Sequence, residues 1–457
     1  MSVRPDPPVT KAGGLSIYLA PIAPVLLAVT FAQTALGLMT TLIPLLLIGR
    51  GVSSGVIGLI SSAYYVGFLF GSGVMSRLVA KVGHIRASAV FAAVAAIAAQ
   101  TLALTDNDWV WAAARAVLGL NMAGLFLVIE SWLNDKATSR NRGRIFGAYL
   151  MIDWLASALG PLALNLLPVS ATLFVPVAMA FAASLLPMAL TPVPNPYVGR
   201  HSILGPHRLL SISPLGTVCC LASGAINSTF YALTPVYLEQ LHYSTREIAA
   251  FASATLVAGL VVQYPIGMLT DRVGRRQVTL ASLVMCFSLT LVLGLATHAS
   301  FLALTTIGCL FAGIAAPLYG LGVGQVNDRI DRNAFVAASG GLLMAWAIGA
   351  TLGPSIAGLI MSQLGPMGLI LYLGGVLAAV GAFTVLRMQV RPDAARRSGF
   401  VPAATTPPSL AELDPRAEED QAIIVDPEPV TPAEPEIQKP AAQGPETSEP
   451  GDASFSV

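Results

Sequence analysis

The sequence predicts an all-helical membrane protein in which twelve transmembrane helices form two related halves. The first observation is composition: 55% of the 457 residues are hydrophobic and 11% are charged, whereas soluble globular chains carry roughly 25% charged residues. The second is a series of apolar segments, each long enough to cross a bilayer. The third is a set of landmarks that recur at a nearly constant spacing, which indicates an internal repeat.

Apolar segments account for most of the chain, and a run of about 18 or more apolar residues predicts a transmembrane helix. The predicted helices cover about residues 21–48, 54–76, 86–105, 109–134, 143–167, 171–191, 214–240, 246–269, 277–297, 300–326, 334–362 and 366–388. Turn or charge signals separate them, such as Arg50-Gly51 between the first two. The even number of crossings places both termini on the same face.

Four landmarks recur at an offset of 191 or 193 residues, which predicts two six-helix halves with a site at their interface. They are Pro44 with Pro235, Gly83 with Gly274, Asn134-Asp135 with Asn327-Asp328, and Gly160-Pro161 with Gly353-Pro354. The predicted segments are an N-terminal tail at 1–20, a first half at 21–191, a Pro-rich linker at 192–213, a second half at 214–390 and a tail at 391–457. This last tail is acidic and rich in Pro, so we predict that it is disordered.

The distribution of positive charge predicts the orientation of the chain. Among the 25 Lys and Arg residues, Arg50 and Arg246 fall in loops on the face opposite the termini, and Arg115 falls within a helix. All the others lie on the face of the termini. Because cytoplasmic loops are enriched in Lys and Arg, both termini are predicted to be cytoplasmic.

The loop GMLTDRVGRR, Gly267 to Arg276, is a short basic turn between the predicted eighth and ninth helices. It resembles the loop signature of the major facilitator superfamily of secondary transporters, and the resemblance implies the fold of that family and transport by alternating access. It also implies that the loop helps to lock one conformation through Gly267, Asp271, Arg272, Gly274, Arg275 and Arg276. The matching turn of the first half is RLVAKVGHIR, in which Ala80 replaces the Asp. We expect Asp271 to cap the start of the fifth helix.

The stretch IESWLNDKATSRNRGR resembles the YcaD-like bacterial subgroup of that superfamily. This resemblance covers the twelve predicted helices and is closest from about residue 129 to 154. It implies no particular substrate.

Three ionisable residues within predicted helices are functional candidates, because such groups are costly in a membrane. Arg115 lies in an R-x-x-x-G pattern that the family uses in proton coupling, and a structural Arg is an equal alternative. Asp153 is predicted near mid-membrane as a proton carrier or substrate contact, and a neutral packed Asp is its alternative. Glu130 is predicted to pair with Arg140, Arg142 or Arg144 as a gate or structural ion pair, with substrate contact second.

Polar and aromatic residues within the helices are candidates for the lining of a substrate cavity, and as a set they favour a moderately apolar or planar organic solute. They are Gln33, Tyr64, Tyr65, Asn121, Asn227, Tyr231, Gln263, Tyr264, Tyr319 and Trp346. Each one taken alone is more often a helix-packing residue than a ligand contact.

The function predicted from these features is secondary active transport of a small organic solute across the bacterial cytoplasmic (inner) membrane, by proton-coupled efflux. Uptake by proton symport is the alternative, and a non-transporting membrane sensor or scaffold that acts through the acidic tail is a second one. We expect a monomer whose partners are the solute, protons and the lipid bilayer, and not nucleic acid. No catalytic set, metal site or cofactor motif is present in the sequence, so an enzyme is not predicted.

Overall fold

In the computed structural model, residues 20–138, 141–191, 204–296, 299–331, 334–390, 402 and 404 are described. Their regular secondary structure is helical throughout. The first six long helices are α1 (Ala23–Gly49), α2 (Ser54–Val82), α3 (His84–Leu104), α4 (Asp108–Lys136), α5 (Arg142–Leu162) and α6 (Phe174–Ala189). The last six are α7 (Pro214–Gln240), α8 (Thr245–Val273), α9 (Arg275–Leu295), α10 (Phe301–Ala315 and Leu318–Asn327, broken at Pro317), α11 (Phe335–Leu364) and α12 (Met367–Val390).

Eleven helical segments among the described residues are long and apolar enough to cross a membrane, and they include every long helix except α7. Helix α7 has 27 residues, so its length would suffice. It carries polar side chains such as Asn227, Ser228 and Thr229, which lower its hydropathy. Ser228 and Thr229 face protein, since both are buried.

The landmarks that repeat in the sequence occupy equivalent places in the fold. Gly83 ends α2 with φ 86° and Gly274 ends α8 with φ 114°, a backbone conformation that glycine adopts without strain. A Cβ on Gly160 would overlap Leu38 and Thr34 of α1. A Cβ on Gly353 would lie 2.6 Å from the carbonyl oxygen of Ala225 on α7. The Gly-Pro landmarks therefore let α5 pack on α1, and α11 on α7, at close range.

The first and last six helices pack together toward one end of the bundle. We call the end that holds Ala23 and Val390 the terminal face, and the end that holds Gly51 and Gly365 the far face. Near the far face, Gln240 Nε2 donates a hydrogen bond to Ser54 Oγ at 3.2 Å. About two turns further along α2 from Ser54, Ser355 Oγ donates a hydrogen bond to Ser62 Oγ at 2.7 Å. Helix α2 is thereby held against α7 and α11.

Aromatic side chains extend this contact toward the middle of the bundle. The rings of Tyr65 and Trp346 meet edge to face at a centroid distance of 5.8 Å. On the other side of the bundle, the ring of Trp154 on α5 occupies the space that a Cβ on Gly259 of α8 would need. Helix pairs α2 with α11 and α5 with α8 therefore contribute much of the contact between the two sets of six helices.

The segment predicted as a Pro-rich linker contains a short helix, Pro206–Ile212, that the sequence pattern does not predict. Leu209 of this helix is fully buried. The backbone N–H of Leu204 donates to the carbonyl of Ala337 at 2.9 Å, which attaches the segment to α11. Ala404, within the predicted acidic tail, is also buried. Most of that tail lies outside the described residues.

Candidate functional site

A cavity of about 110 Å³ lies between the first and last six helices. Helices α1, α2, α4 and α5 line it from one side, and α7 and α8 line it from the other. Its polar lining comprises Gln33, Thr40, Thr41, Ser61, Tyr64, Tyr65, Arg115, Ser157 and Tyr231. Tyr64 lies ten residues into α2, about 15 Å along the helix from its far-face end. That depth is close to the middle of a hydrocarbon core about 30 Å thick.

Asp153 is placed beside the cavity rather than in its lining. Its side chain has no exposed surface and accepts a hydrogen bond from Nε2 of Gln33, which does line the cavity. Ser157, one turn further along α5, also lines the cavity and donates to the carbonyl of Asp153 at 2.8 Å. Asp153 lies eleven residues into α5, about 17 Å from its start. A buried carboxyl group at mid-membrane depth is therefore hydrogen-bonded to an amide side chain that lines the cavity.

Arg115 reaches the cavity from α4 and carries a permanent positive charge. Its side chain is buried, and its guanidinium carbon lies 4.8 Å from the centroid of the Tyr64 ring. A cation over an aromatic face is attracted by the ring quadrupole. Its Nε is fully buried and has no hydrogen-bond partner among the described residues. The guanidinium thus retains hydrogen-bonding capacity next to empty space.

Tyr231 is the counterpart of Arg115 on the other side of the cavity. It belongs to α7, and its ring meets that of Phe230 edge to face at 5.3 Å. Its hydroxyl is buried and has no hydrogen-bond partner within the described residues. The cavity therefore has an unpaired donor on each of its two sides.

The other predicted cavity residues lie elsewhere in the helices. Nδ2 of Asn121 donates to the carbonyl of Val117 at 2.7 Å. Nδ2 of Asn227 donates to the carbonyls of Ser223 at 3.0 Å and Ala315 at 3.2 Å, which packs α7 on α10. Gln263, Tyr319 and Trp346 are buried but do not contribute to the lining of this cavity.

The expectation that Tyr264 lines a substrate cavity is wrong, because 74% of its surface is exposed. It follows Gln263 directly on α8, and adjacent helical positions point about 100° apart. Its ring therefore lies on the outside of the bundle and not in a cavity.

Glu130 is buried on α4, toward the terminal face. It lies within electrostatic range of Tyr319 on α10, on the other side of the interface. Of the three arginines predicted as its partners, Arg140 lies outside the described residues. Arg142 donates from a terminal guanidinium nitrogen to Oδ1 of Asn134 at 2.6 Å, which ties the start of α5 to the end of α4. The gating role of Glu130 stays a prediction.

The loop that carries the family signature joins α8 to α9 through Gly274. Asp271 and Arg272 are exposed, whereas Arg275 and Arg276 are buried. Nε of Arg275 lies 3.4 Å from Oδ2 of Asp328, and these two side chains are only 5% and 8% exposed. The ion pair fixes the start of α9 to the end of α10. The capping of α5 by Asp271 stays a prediction.

Sequence reasoning missed several lining residues, including Thr40, Ser61 and Ser157. Ser and Thr are too common within these helices to single out. One signal did exist for Ser157, since it lies four residues after Asp153 and therefore on the same face of α5.

The sequence profile described as Major Facilitator Superfamily matches residues 25–262 and 239–417. An MFS-type transporter of Enterobacter sp. (strain 638), Ent638_1421, is 29% identical over 381 residues, which cover 82% of this chain and 97% of that protein. The MFS-type transporter YcaD of Escherichia coli O45:K1 (strain S88 / ExPEC) is 27% identical over 352 residues, covering 76% and 91% of the two chains. The predicted resemblance to the YcaD-like subgroup is confirmed.

A solved structure of a mutant form of the nucleoside transporter NupG has a TM-score of 0.68 and 13% identity, and the match covers 82% of this chain and 99% of that one. At this identity the likeness shows the fold alone. It confirms the prediction of an all-helical membrane protein with two pseudo-symmetric six-helix halves. The profile match spans most of the chain, and the chain therefore belongs to the Major Facilitator Superfamily, as a multi-pass secondary transporter rather than an enzyme.

Proposed function

We propose that this transporter moves a small organic solute through the cavity between its halves, and that Asp153 couples the movement to protons. The observation that carries the proposal is the hydrogen bond from Gln33 to Asp153. It joins a cavity-lining amide to a fully buried carboxyl group. Among the described residues that line this cavity, none carries a carboxyl group.

The amide of Gln33 supplies a mechanism for this coupling. An ionised Asp153 only accepts hydrogen bonds, so it favours the orientation in which Nε2 of Gln33 faces it. A protonated Asp153 also donates, and it can then hydrogen-bond to Oε1 of Gln33. Rotation of the amide would exchange the donor and acceptor that Gln33 presents to the cavity. Protonation of Asp153 would thereby change which hydrogen-bonding group of Gln33 faces the solute.

The first proposed direction is efflux by proton antiport, and uptake by proton symport is the second. In both, the two halves rock about the cavity, opening the far face and the terminal face in turn. The positive charge of the terminal-face loops supports placing both termini in the cytoplasm of a bacterial cell. The proposal treats the protein as a monomer, because one chain supplies both halves of the cavity.

The first test compares purified wild type with Asp153→Asn. Asn keeps the shape and can still accept the hydrogen bond from Gln33, but it cannot carry a proton. Ligand-induced thermal stabilisation is measured across a solute panel at pH 6 and pH 8, with the exposed Asp106→Asn as the matched control. We expect wild type and the control to show pH-dependent stabilisation that Asp153→Asn lacks. The same pH dependence in all three proteins would refute the role of Asp153.

The direction is tested in proteoliposomes with a solute found in that panel. Antiport accumulates solute when the lumen is acidic, whereas symport accumulates it when the outside is acidic. The two outcomes do not depend on which way the protein inserts. A third result, solute binding without any exchange across the membrane, would favour the sensor or scaffold alternative.

A further inference from the structure

The cavity holds a positive charge that its lining does not balance. Arg115 is its single charged lining residue, and the lining contains no Asp or Glu among the described residues. The carboxyl group of Asp153 lies behind Gln33, from which it accepts a hydrogen bond. A buried guanidinium without a carboxylate in contact is costly unless something else pairs with it.

Two buried donors without partners belong to residues that line this one space from opposite sides. Nε of Arg115 and the hydroxyl of Tyr231 lack hydrogen-bond partners in the described part of the chain. Native proteins leave few buried polar groups unsatisfied, so a pair of such groups beside one cavity calls for a partner that binds there. Here one donor belongs to α4 of the first half and the other to α7 of the second.

We propose that the solute of this transporter is a small organic anion, a carboxylate or a group of similar charge, whose negative end binds Arg115 and Tyr231. The inference rests on the proposed function, since it assigns a chemical class to the same cavity. Guanidinium groups bind carboxylates through charge-assisted hydrogen bonds, often two at once. The rest of the solute would lie against apolar lining such as Leu36 and Leu256.

In this conformation, the volume of the cavity limits the size of the apolar part of the solute. Its volume is about 110 Å³, and an apolar cavity of roughly 150 Å³ is known to admit benzene. A single ring or a short branched chain is therefore the upper limit for the apolar part of the solute. An anion held by both Arg115 and Tyr231 would also favour the state in which the two halves are close, since a ligand shifts a conformational equilibrium by its differential affinity.

The test uses full-length purified protein and three ring compounds of nearly equal size: benzoate, benzamide and benzylammonium. Thermal unfolding is followed as each compound is titrated. Hydrogen bonds to charged groups contribute about 1.5–3 kcal/mol, so benzoate should bind roughly 10- to 150-fold more tightly than neutral benzamide. Benzylammonium should not stabilise the protein. Equal or tighter binding of benzamide, or no binding of benzoate, would overturn the proposal.

Variants identify the group responsible. Arg115→Gln should remove the preference for benzoate, Tyr231→Phe should weaken benzoate binding several-fold, and Arg115→Lys should retain part of the preference. The matched control is Arg50→Gln, because Arg50 also lies over an aromatic ring, Trp111 at 5.1 Å, but outside the cavity and beside Asp106 and Asp108. If Arg115→Gln fails to fold, the benzoate affinities of Arg115→Lys and Tyr231→Phe test the proposal. Undiminished affinity and preference for benzoate in every cavity variant that folds would overturn the proposal.

Counterflow of labelled benzoate and benzamide in proteoliposomes separates this inference from the proposed function. Exchange of benzamide without exchange of benzoate would uphold transport and overturn the anion inference. Binding of benzoate that depends on Arg115, without exchange of either compound, would uphold the anion site and overturn transport of this class of solute.

Discussion

Substitution of Gly58 by Ala is expected to shift the balance between conformations toward opening at the far face. Gly58 lies on α2 where it meets α11, and a Cβ there would overlap the carbonyl oxygen of Pro354 and lie 3.2 Å from Cα of Gly358. These are backbone atoms and cannot move aside alone. Overpacking of this kind costs about 1–3 kcal/mol. The overlap exists only when the halves are packed together at the far face.

The size of the shift in Gly58→Ala follows from a steric overlap that is present in the closed state and absent in the open state. Ala favours a helix over Gly by up to about 1 kcal/mol, but α2 is expected to stay helical in both conformations, so this gain cancels. The steric term of about 1–3 kcal/mol then changes the ratio of closed to open states by roughly 5- to 150-fold. Gly73 provides a matched control on the same helix, because a Cβ there would meet nothing within 4 Å.

The assay measures the distance between spin labels at Ser53 and Gln363. Both positions are exposed at the far face, Ser53 at the N-cap of α2 and Gln363 on α11. Cys309, the least buried of the four cysteines, is first replaced by Ala to limit background labelling. We expect a longer distance component in Gly58→Ala and an unchanged distribution in Gly73→Ala. An unchanged distribution in Gly58→Ala, or the same change in both variants, would refute the reasoning.

Three further predictions concern stability and the tail. Gly119→Ala should lower the free energy of unfolding by about 1–3 kcal/mol, because its Cβ would overlap the carbonyl of Tyr64 within one half; thermal unfolding against Gly73→Ala measures this. Asp328→Asn should lower the free energy of unfolding by about 3 kcal/mol, because it removes a carboxylate that lies 3.4 Å from Nε of buried Arg275. Adding Arg275→Met should restore part of the loss, and full stability of the single variant would contradict this. Removal of residues 405–457, which spares buried Ala404, should leave counterflow unchanged, and loss of counterflow in the truncated protein would show that transport requires the tail.

The helices and their repeat could be predicted because their signals are local and strong. Apolar segments long enough to span a membrane have few other solutions. The landmarks Gly83 and Gly274 mark equivalent turns because glycine readily takes the positive φ that each turn needs. Gly160 and Gly353 likewise mark equivalent close contacts between helices. The short helix Pro206–Ile212 was not predictable in this way, since its seven residues are fixed by contact with α11 rather than by their own pattern.

The candidate site was only partly predictable, because the lining of a cavity depends on the rotation of each helix. Gln33, Tyr64 and Tyr231 line the cavity, whereas Asn121 and Asn227 hydrogen-bond to helix backbone. The sequence pattern is the same for both groups: a polar residue among apolar ones. The contact of Gln33 with Asp153 joins residues 120 positions apart. Nothing in the sequence near either residue indicates the other.

The charge of the solute and the direction of coupling constrain each other. The cation of Arg115 can be balanced by a bound anion or, through Gln33, partly by an ionised Asp153. An anion beside an ionised Asp153 would be repelled, so proton binding and anion binding should favour each other, and linkage makes that effect reciprocal. If the solute is the proposed anion, proton symport therefore takes precedence over antiport, the first proposed direction. Antiport fits a neutral or cationic solute that competes with the proton. Benzoate binding that is tighter at pH 6 than at pH 8 in wild type, but equal in Asp153→Asn, would decide for symport.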